Sequence, residues 1–227
     1  MNYNFVEKIH STNAFVKKNI DALPDWYVLR AGEQTNGYGR FERVWQCEKN
    51  KDIAMSIVMP YFPNLTQIIA VSIAETLDNF ALVTQIKWAN DILVGGRKIS
   101  GILVESQSIG NKIKVVAGIG LNVNSLRKNQ SEFLATSLFD ETQIEYDLDE
   151  LAKNIVEKIA VNVQKNFTEY HGIINEKLAY KGETKTIIDG EKRISGVILG
   201  VGEKGELIIR TKNGEEKFIS GEIGFEK

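Results

Sequence analysis

The sequence predicts an α+β protein: a sheet faced by amphipathic helices, followed by a small antiparallel β-barrel. Three observations lead there. Residues 85–123 hold four short strand-like runs divided by the turn pairs Gly95-Gly96 and Gly110-Asn111, which reads as a β-meander. Leu65 to Phe80 and Leu148 to Phe167 repeat apolar residues at spacings of three and four, so each is a helix with one apolar face to lay on a sheet. After Lys181, strand-like runs alternate with Asp189-Gly190, Glu203-Lys204-Gly205 and Asn213-Gly214, the pattern of a compact barrel. The expected division is residues 1–180 and residues 181–227.

In chain order, Asn4 to Ile9 is short and mixed, suited to an edge strand, and Ser11-Thr12 can cap a helix from Asn13 to Asn19. Trp26 to Ala31 reads as a strand that runs into the stretch Ala31 to Trp45. There Gly32, Gly37 and Gly39 alternate with Arg40 and Arg43. Such a loop builds no core; it lets backbone N–H groups approach an anion while guanidinium forks bind it. Ile53 to Met59 is a mostly apolar, buried strand ended by Pro60, and the helix from Leu65 follows. The meander's strands are Ile86 to Trp88, Ile92 to Val94, Arg97 to Gln107 and Lys112 to Leu121. The second long helix covers the sheet over roughly five turns, with helical character continuing past a break near Gly172 to Tyr180. The last strands are Thr184 to Ile188, Arg193 to Leu199, Glu206 to Thr211 and Glu216 to Ile219.

Composition narrows the function classes. With 28 Lys+Arg against 30 Asp+Glu the net charge is -2, so no global field draws nucleic acid or an anionic membrane, and any basic site is local. Cys47 is the only cysteine, which rules out an intramolecular disulfide and suits a reducing cytoplasm. His10 and His171 lack the company that a metal-ligand set needs. The N-terminal residues show no signal-peptide pattern and no run is long enough to span a bilayer, so the N-x-[ST] triplets at Asn64, Asn129 and Asn166 read as chance. Gly200 to Gly205 matches G-x-G-x-x-G but lies between two strands instead of opening a helix, so the dinucleotide reading fails.

Three polar clusters interrupt the apolar strands: the Ala31 to Trp45 loop, Lys87-Trp88-Ala89-Asn90-Asp91, and Arg97 to Glu105 with Lys98 at a strand mouth. Together, Arg40, Arg43, Lys87 and Lys98 would place four positive charges in a net-acidic protein, which suits a triphosphate or an acyl phosphate. Gly118 and Gly120 leave one strand face bare for a ligand or a close-packed neighbour.

These clusters occur in a recognisable order: STN at Ser11 to Asn13, EQTNGYGR at Glu33 to Arg40 with Trp45 beyond, KWAND at Lys87 to Asp91, GRKISGILVE at Gly96 to Glu105, and GIGLNVN at Gly118 to Asn124. Together they resemble the catalytic region of biotin protein ligases, also called biotin–[acetyl-CoA-carboxylase] ligases, and Ile219-Ser220-Gly221-Glu222-Ile223 is similar to an element of that family's SH3-like barrel. The resemblance implies a mixed-sheet catalytic domain like class II aminoacyl-tRNA synthetases. It also implies a cytoplasmic ATP-dependent enzyme that joins biotin to ATP as biotinyl-5'-AMP, then passes biotin to one lysine of a biotin carboxyl carrier protein. Carried over residue by residue, Ser11, Thr12, Asn13, Gln34, Gly37, Tyr38, Gly39, Arg40, Lys98, Gly101 and Gly118 would hold biotin. Arg40, Arg43, Trp45, Lys87, Asn90, Asp91 and Asn122 would hold ATP, with Arg40, Lys87 and Lys98 catalytic. Mg²⁺ would ride on the ATP phosphates, with Asp91 as its candidate protein ligand.

The loop departs from the family's commonest G-R-G-R-x-G-R: Tyr38 replaces the first Arg, Phe41 fills the variable position, and Glu42 replaces the following Gly. Ala89 stands where Pro is usual. The first motif begins ten residues in, which leaves no room ahead of it for a winged-helix DNA-binding domain, so neither nucleic acid nor membrane is an expected partner. A monomer and a homodimer are both compatible with the sequence. The rival readings are a lipoate or octanoate ligase or transferase, and a non-catalytic biotin-binding relative suggested by Tyr38 and Glu42.

Overall fold

The structure is a computed structural model and describes residues 1–127 and 134–224, so Asn129 lies outside the described residues. Strand β1 (Asn2–Ile9) runs through Ser11, whose Oγ accepts the Ala14 N–H at 3.3 Å, into helix α1 (Thr12–Lys18). Strands β2 (Tyr27–Gln34) and β3 (Ile53–Pro60) flank the glycine–arginine loop. Helix α2 (Leu65–Asp78) then leads to β4 (Thr84–Lys87), β5 (Asp91–Val94), β6 (Arg97–Ile109) and β7 (Lys112–Leu121). These strands form one seven-stranded sheet in the order β1-β2-β3-β7-β6-β5-β4, antiparallel except for the parallel β1–β2 pair. The expected meander from β4 to β7 is present, and β1 is an edge strand.

Period-two alternation gives this sheet two different faces. Ile53, Met55, Ile57 and Met59 of β3 and Val115, Ala117 and Ile119 of β7 point into the main core. On the opposite face the paired residues shrink along the strands, from Val58 opposite Val116, to Ser56 opposite Gly118, to Ala54 opposite Gly120. Val16 of helix α1 and Ile20 just after it pack on the large end, with Leu29, Val58 and Val116. At the small end Asn13 and Trp45 rest on Gly118 and Gly120, and the cleft described below lies there.

The second half of the chain adds α3 (Leu138–Thr142), α4 (Leu148–Asn162) and α5 (Phe167–Lys177). Asp147 caps α4 by accepting the N–H groups of Asp149 and Glu150 at 2.8 and 2.9 Å, typically worth ~1 kcal/mol. The amphipathic repeat from Leu148 to Phe167 spans two helices. The break falls at 163–166, where Asn166 and Glu169 form a capping box, and Gly172 lies inside α5. The long helix expected to cover the sheet packs mainly on α2, which itself lies on β4, β5 and β6.

Strands β8 (Thr184–Asp189), β9 (Lys192–Val201), β10 (Leu207–Thr211), β11 (Gly214–Phe218) and β12 (Glu222–Ile223) form a five-stranded antiparallel sheet. Its order is β11-β10-β9-β8-β12, so among the described residues the expected barrel is an SH3-like sheet whose outer strands do not pair with each other. Ile187, Ile198, Leu207, Ile209 and Phe218 continue the main core, and the Trp88 indole and the Gln67 amide both donate to the Gly205 carbonyl, at 3.1 and 2.6 Å. Among the described residues no helix is long and apolar enough to cross a membrane.

Candidate active site

The cleft on the small-residue face draws its walls from every part of the chain that the sequence motifs marked. At one end the first turn of α1 meets the end of β2. Thr12 donates its N–H to Gln34 Oε1 at 2.7 Å, with the Thr12 hydroxyl 3.1 Å from the same oxygen. Ser56 Oγ reaches Asn13 Oδ1 at 2.5 Å and Thr12 Oγ1 at 2.8 Å. Asn13 donates through Nδ2 to Glu105 Oε2 at 3.1 Å. Ser11, Thr12, Asn13 and Ser56 are all buried, so this polar end is held rigidly by its own hydrogen bonds.

The loop between β2 and β3 is a small hairpin. Trp45 N–H bonds the Gly37 carbonyl at 2.9 Å and Gly39 N–H bonds the Arg43 carbonyl at 2.8 Å, with Tyr38 bridged to Val44 between them. The turn at Arg40–Glu42 places Phe41 and Glu42 at φ 56° and 57°, a region that costs non-glycine residues energy, and both side chains point outward, exposed. Gly37 is required sterically: a Cβ there would lie 2.7 Å from Gln34 Nε2 and 2.8 Å from the Trp45 carbonyl oxygen. Gly39 has open space instead, with its nearest contact at 3.8 Å.

The hairpin is anchored across the cleft. Arg40 donates to Asn90 Oδ1 at 3.1 Å and to the Gly221 carbonyl at 2.9 Å; Arg43 makes a two-pronged pair with Glu222 at 2.7 and 2.8 Å. Both guanidiniums also flank the Phe41 ring, at 5.0 and 5.4 Å from its centroid. Tyr38 donates its phenol to Glu105 Oε2 at 3.1 Å, and burial followed by the Glu105 charge pushes that phenol up to about 12. The same carboxylate accepts from Lys17 at 2.6 Å; the Lys17, Asn13 and Tyr38 bonds outweigh burial and hold it below its ordinary range.

The floor is made of glycine. The Trp45 indole lies flat on Gly120, where a Cβ would sit 2.1 Å from the ring, and Asn13 lies on Gly118, where a Cβ would sit 2.3 Å from Oδ1. Trp45 Nε1 donates to Cys47 Sγ at 3.0 Å, and its ring carries Lys98 Nζ 5.3 Å from its centroid. Gly101 completes the floor beside Lys98 and Trp45. Lys98 pairs with Asp91 at 2.7 Å, and Lys87, opposite Asp91 in the β4–β5 register, is buried; burial is the main cause that lowers its pKa. Asn90 is fixed by Nδ2 donating to the Ile102 carbonyl at 3.0 Å, and the Trp88–Ala89 peptide before it is cis.

Almost all of the expected site residues therefore converge: Ser11, Thr12, Asn13, Gln34, Tyr38, Gly39, Arg40, Arg43, Trp45, Lys87, Asn90, Asp91, Lys98, Gly101 and Gly118 line the one cleft. Two do not line it. Gly37 is buried within the hairpin against Gln34 and Trp45, and Asn122 turns away, its Nδ2 donating to the Thr136 carbonyl at 2.9 Å and fastening the chain before α3. The sequence reading missed Glu222, which lines the cleft, and the buried Ser56 and half-buried Glu105 behind it. Ser56 had one signal, a lone hydroxyl in an apolar run, and Glu105 another, its place on the face shared by Gly101 and Leu103.

Four cations thus face two carboxylates, Asp91 and Glu222, which leaves a positive cleft with a hydrogen-bonding end and an aromatic wall. That arrangement can draw two anionic groups together while holding a neutral polar ring at one side. Asp91 is engaged by Lys98 and Glu222 by Arg43, and among the described residues no group of three or more metal-ligating side chains exists, so the residues do not form a resident metal site.

Residues 5–124 match the biotin/lipoate A/B protein ligase family. The chain is 29% identical over 219 residues to the bifunctional ligase/repressor BirA of Bacillus spizizenii, covering 88% of this chain and 66% of that protein, so it spans just under two thirds of that relative's length. It is 28% identical over 232 residues to the biotin–[acetyl-CoA-carboxylase] ligase of Paracoccus denitrificans, covering 95% and 97% of the two chains. Among solved structures, biotin protein ligase from Aquifex aeolicus in complex with biotin and ATP superposes with a TM-score of 0.87 at 28% identity, covering 98% of this chain and 97% of that one.

Proposed function

Because the chain belongs to the biotin/lipoate A/B protein ligase family, we propose that it is an ATP-dependent biotin protein ligase. In this reading it makes biotinyl-5'-AMP and transfers the biotinyl group to a lysine of a biotin carboxyl carrier protein. The observation that carries the proposal is the division of the cleft: a neutral hydrogen-bonding pocket at Thr12, Asn13 and Gln34, and a cation cluster at Arg40, Arg43, Lys87 and Lys98, joined over the glycine floor. Residues 1–180 would then form the catalytic unit and residues 181–227 an accessory domain that holds the hairpin.

The mechanism follows from those positions. The head group of biotin lies against Ser11, Thr12 and Gln34, and its carboxylate extends along Gly118 and Gly101 to Lys98. Lys98 keeps protons for the carboxylate while Asp91 orients its ammonium from behind. The adenine ring packs on Trp45, and Arg40, Arg43 and Lys87 take the phosphates. A carboxylate oxygen then attacks the α-phosphorus, the O–P bond to pyrophosphate breaks, and the clustered cations stabilise the charge that gathers in the transition state. Mg²⁺ arrives on the ATP phosphates as part of that substrate. In the second step the carrier's neutral amine attacks the acyl carbonyl, AMP leaves, and the amine proton would pass to Asp91 in this reading.

Pyrophosphate release tests the reading directly. With ATP present, release should occur with biotin and be at least tenfold weaker with lipoate or octanoate. Preference for either of those acids would move the chain to the lipoate branch of the family, and no release with any acid would refute a ligase.

A further inference from the structure

Hydrogen bonds in the polar end of the cleft have a direction, and one residue behind the cleft determines it. Glu105 does not line the cleft. Its carboxylate accepts from Asn13 Nδ2 at 3.1 Å, Tyr38 Oη at 3.1 Å and Lys17 Nζ at 2.6 Å. An ionised carboxylate can only accept, so the Asn13 amide must turn its NH₂ toward Glu105 and its oxygen toward Ser56. Ser56 has a single proton and lies between two oxygens, Asn13 Oδ1 at 2.5 Å and Thr12 Oγ1 at 2.8 Å. The amide oxygen cannot donate, so the serine proton is spent there. The Ser56–Thr12 contact then takes its proton from Thr12. Among the described residues the other acceptor near that hydroxyl is Gln34 Oε1 at 3.1 Å, and this atom must be the oxygen because Thr12 N–H donates to it at 2.7 Å. Either way the Thr12 proton is committed inward, and Thr12 offers the cleft lone pairs only.

We infer that Glu105 is a positioning residue that sets the hydrogen-bond polarity of the head-group pocket through Asn13 and Ser56, so that Thr12 meets its ligand as an acceptor. The matching ligand presents a ring N–H at Thr12. This rests on the reading above that the cyclic urea of biotin occupies that end. Glu105→Gln reverses the relay by the same logic. Lys17 can only donate, so it takes the new amide oxygen, and the new NH₂ faces Asn13. Asn13 turns over and Ser56 receives its proton, so Ser56 gives its own to Thr12 and no longer accepts from it; the Thr12 proton then keeps only the longer 3.1 Å contact to Gln34 Oε1 as an inward alternative to the cleft.

The test compares biotin with the two cyclic-carbamate analogues in which one or the other ring N–H is replaced by oxygen, measured by ATP–pyrophosphate exchange. Wild type should favour biotin over the analogue altered at the Thr12 side. Glu105→Gln should reduce that preference by about fivefold or more, the worth of one neutral hydrogen bond. It should raise KM for biotin while kcat and KM for ATP stay within about twofold, since the relay touches neither the phosphates nor Lys98. Ser56→Ala, which cuts the relay without touching Glu105, should shift the preference in the same direction and serves if Glu105→Gln does not fold. Lys17→Ala keeps the carboxylate and should leave the preference unchanged. An unchanged preference in both Glu105→Gln and Ser56→Ala overturns the inference, as does an equal loss in Lys17→Ala. Absence of exchange in wild type with biotin would instead refute the ligase reading, and the inference with it.

Discussion

Gly120→Ala isolates the nucleotide half of the cleft. Gly120 has no positive φ, so alanine fits its backbone, but the new Cβ would lie 2.1 Å from Trp45 Cε2, 2.4 Å from Cζ2 and 2.5 Å from Nε1. Carbon atoms settle near 3.5 Å, so the indole must lift by about 1.4 Å. Trp45 sits on the hairpin rather than in the core, and it can move at the expense of its 3.0 Å bond to Cys47; the fold should therefore lose no more than ~1 kcal/mol, the low end for overpacking. The loss should fall on ATP instead. Aromatic stacking of a base is worth ~1–3 kcal/mol, so ATP should bind roughly 5- to 150-fold more weakly. Biotin affinity should change less than about twofold, because Asn13 rests on Gly118 and not on Gly120. Separate calorimetric titrations with ATP and biotin check this, and Gly118→Ala should give the reverse pattern, since Asn13 is clamped by Ser56 and Glu105 and cannot yield. Unchanged ATP affinity in Gly120→Ala, or equal losses for both ligands, would refute the division of the cleft.

Other outcomes follow from other contacts. Lys98→Ala should abolish adenylate formation by about 100-fold or more while the melting temperature barely moves, because the Lys98–Asp91 pair is partly exposed and such pairs contribute ~0–1 kcal/mol; undiminished pyrophosphate release would remove Lys98 from the mechanism. Asp52→Asn should cost ~3–5 kcal/mol in denaturant unfolding, since Asp52 pairs with buried Arg127 at 2.6 Å and accepts from Val123, Ser125 and Glu48; a loss below ~1 kcal/mol would contradict a buried charge pair. The Glu105 carboxyl lies below its unfolded value of 4.5, so its contribution to stability is complete above that pH and is lost as pH falls through the folded value. Glu105→Gln should therefore flatten the acid limb of stability below pH 4.5 and leave the neutral region's slope unchanged, which unfolding measured against pH will show.

The sequence carried the sheet and most of the site because those features leave local marks. The meander had glycine turns, and the convergent residues came in five motifs in one order. What it missed has either a faint local mark or none. The break at 163–166 went unseen because the apolar spacing runs through it while the capping box that starts α5 uses only Asn166 and Glu169. Among the described residues the outer strands β11 and β12 of the SH3-like sheet do not pair, a detail of how strand ends meet that turn signals do not encode. Ser56 and Glu105 look like an ordinary strand serine and an ordinary surface acid until folding stacks β3, β6 and α1 around Asn13. Asn122, expected among the ATP-binding residues, donates to the Thr136 carbonyl and fastens the segment before α3, a contact that its neighbours Gly118 and Gly120 did not foretell.

The bonds from Arg40 to Gly221 and from Arg43 to Glu222 span 181 and 179 residues. During synthesis the catalytic sheet can form while the SH3-like sheet is still being made, since its strands pair among residues 2–121. The hairpin, however, gains these anchors only after residue 222 has left the ribosome. A nascent chain would thus hold a cleft whose hairpin is not yet fastened to the second sheet.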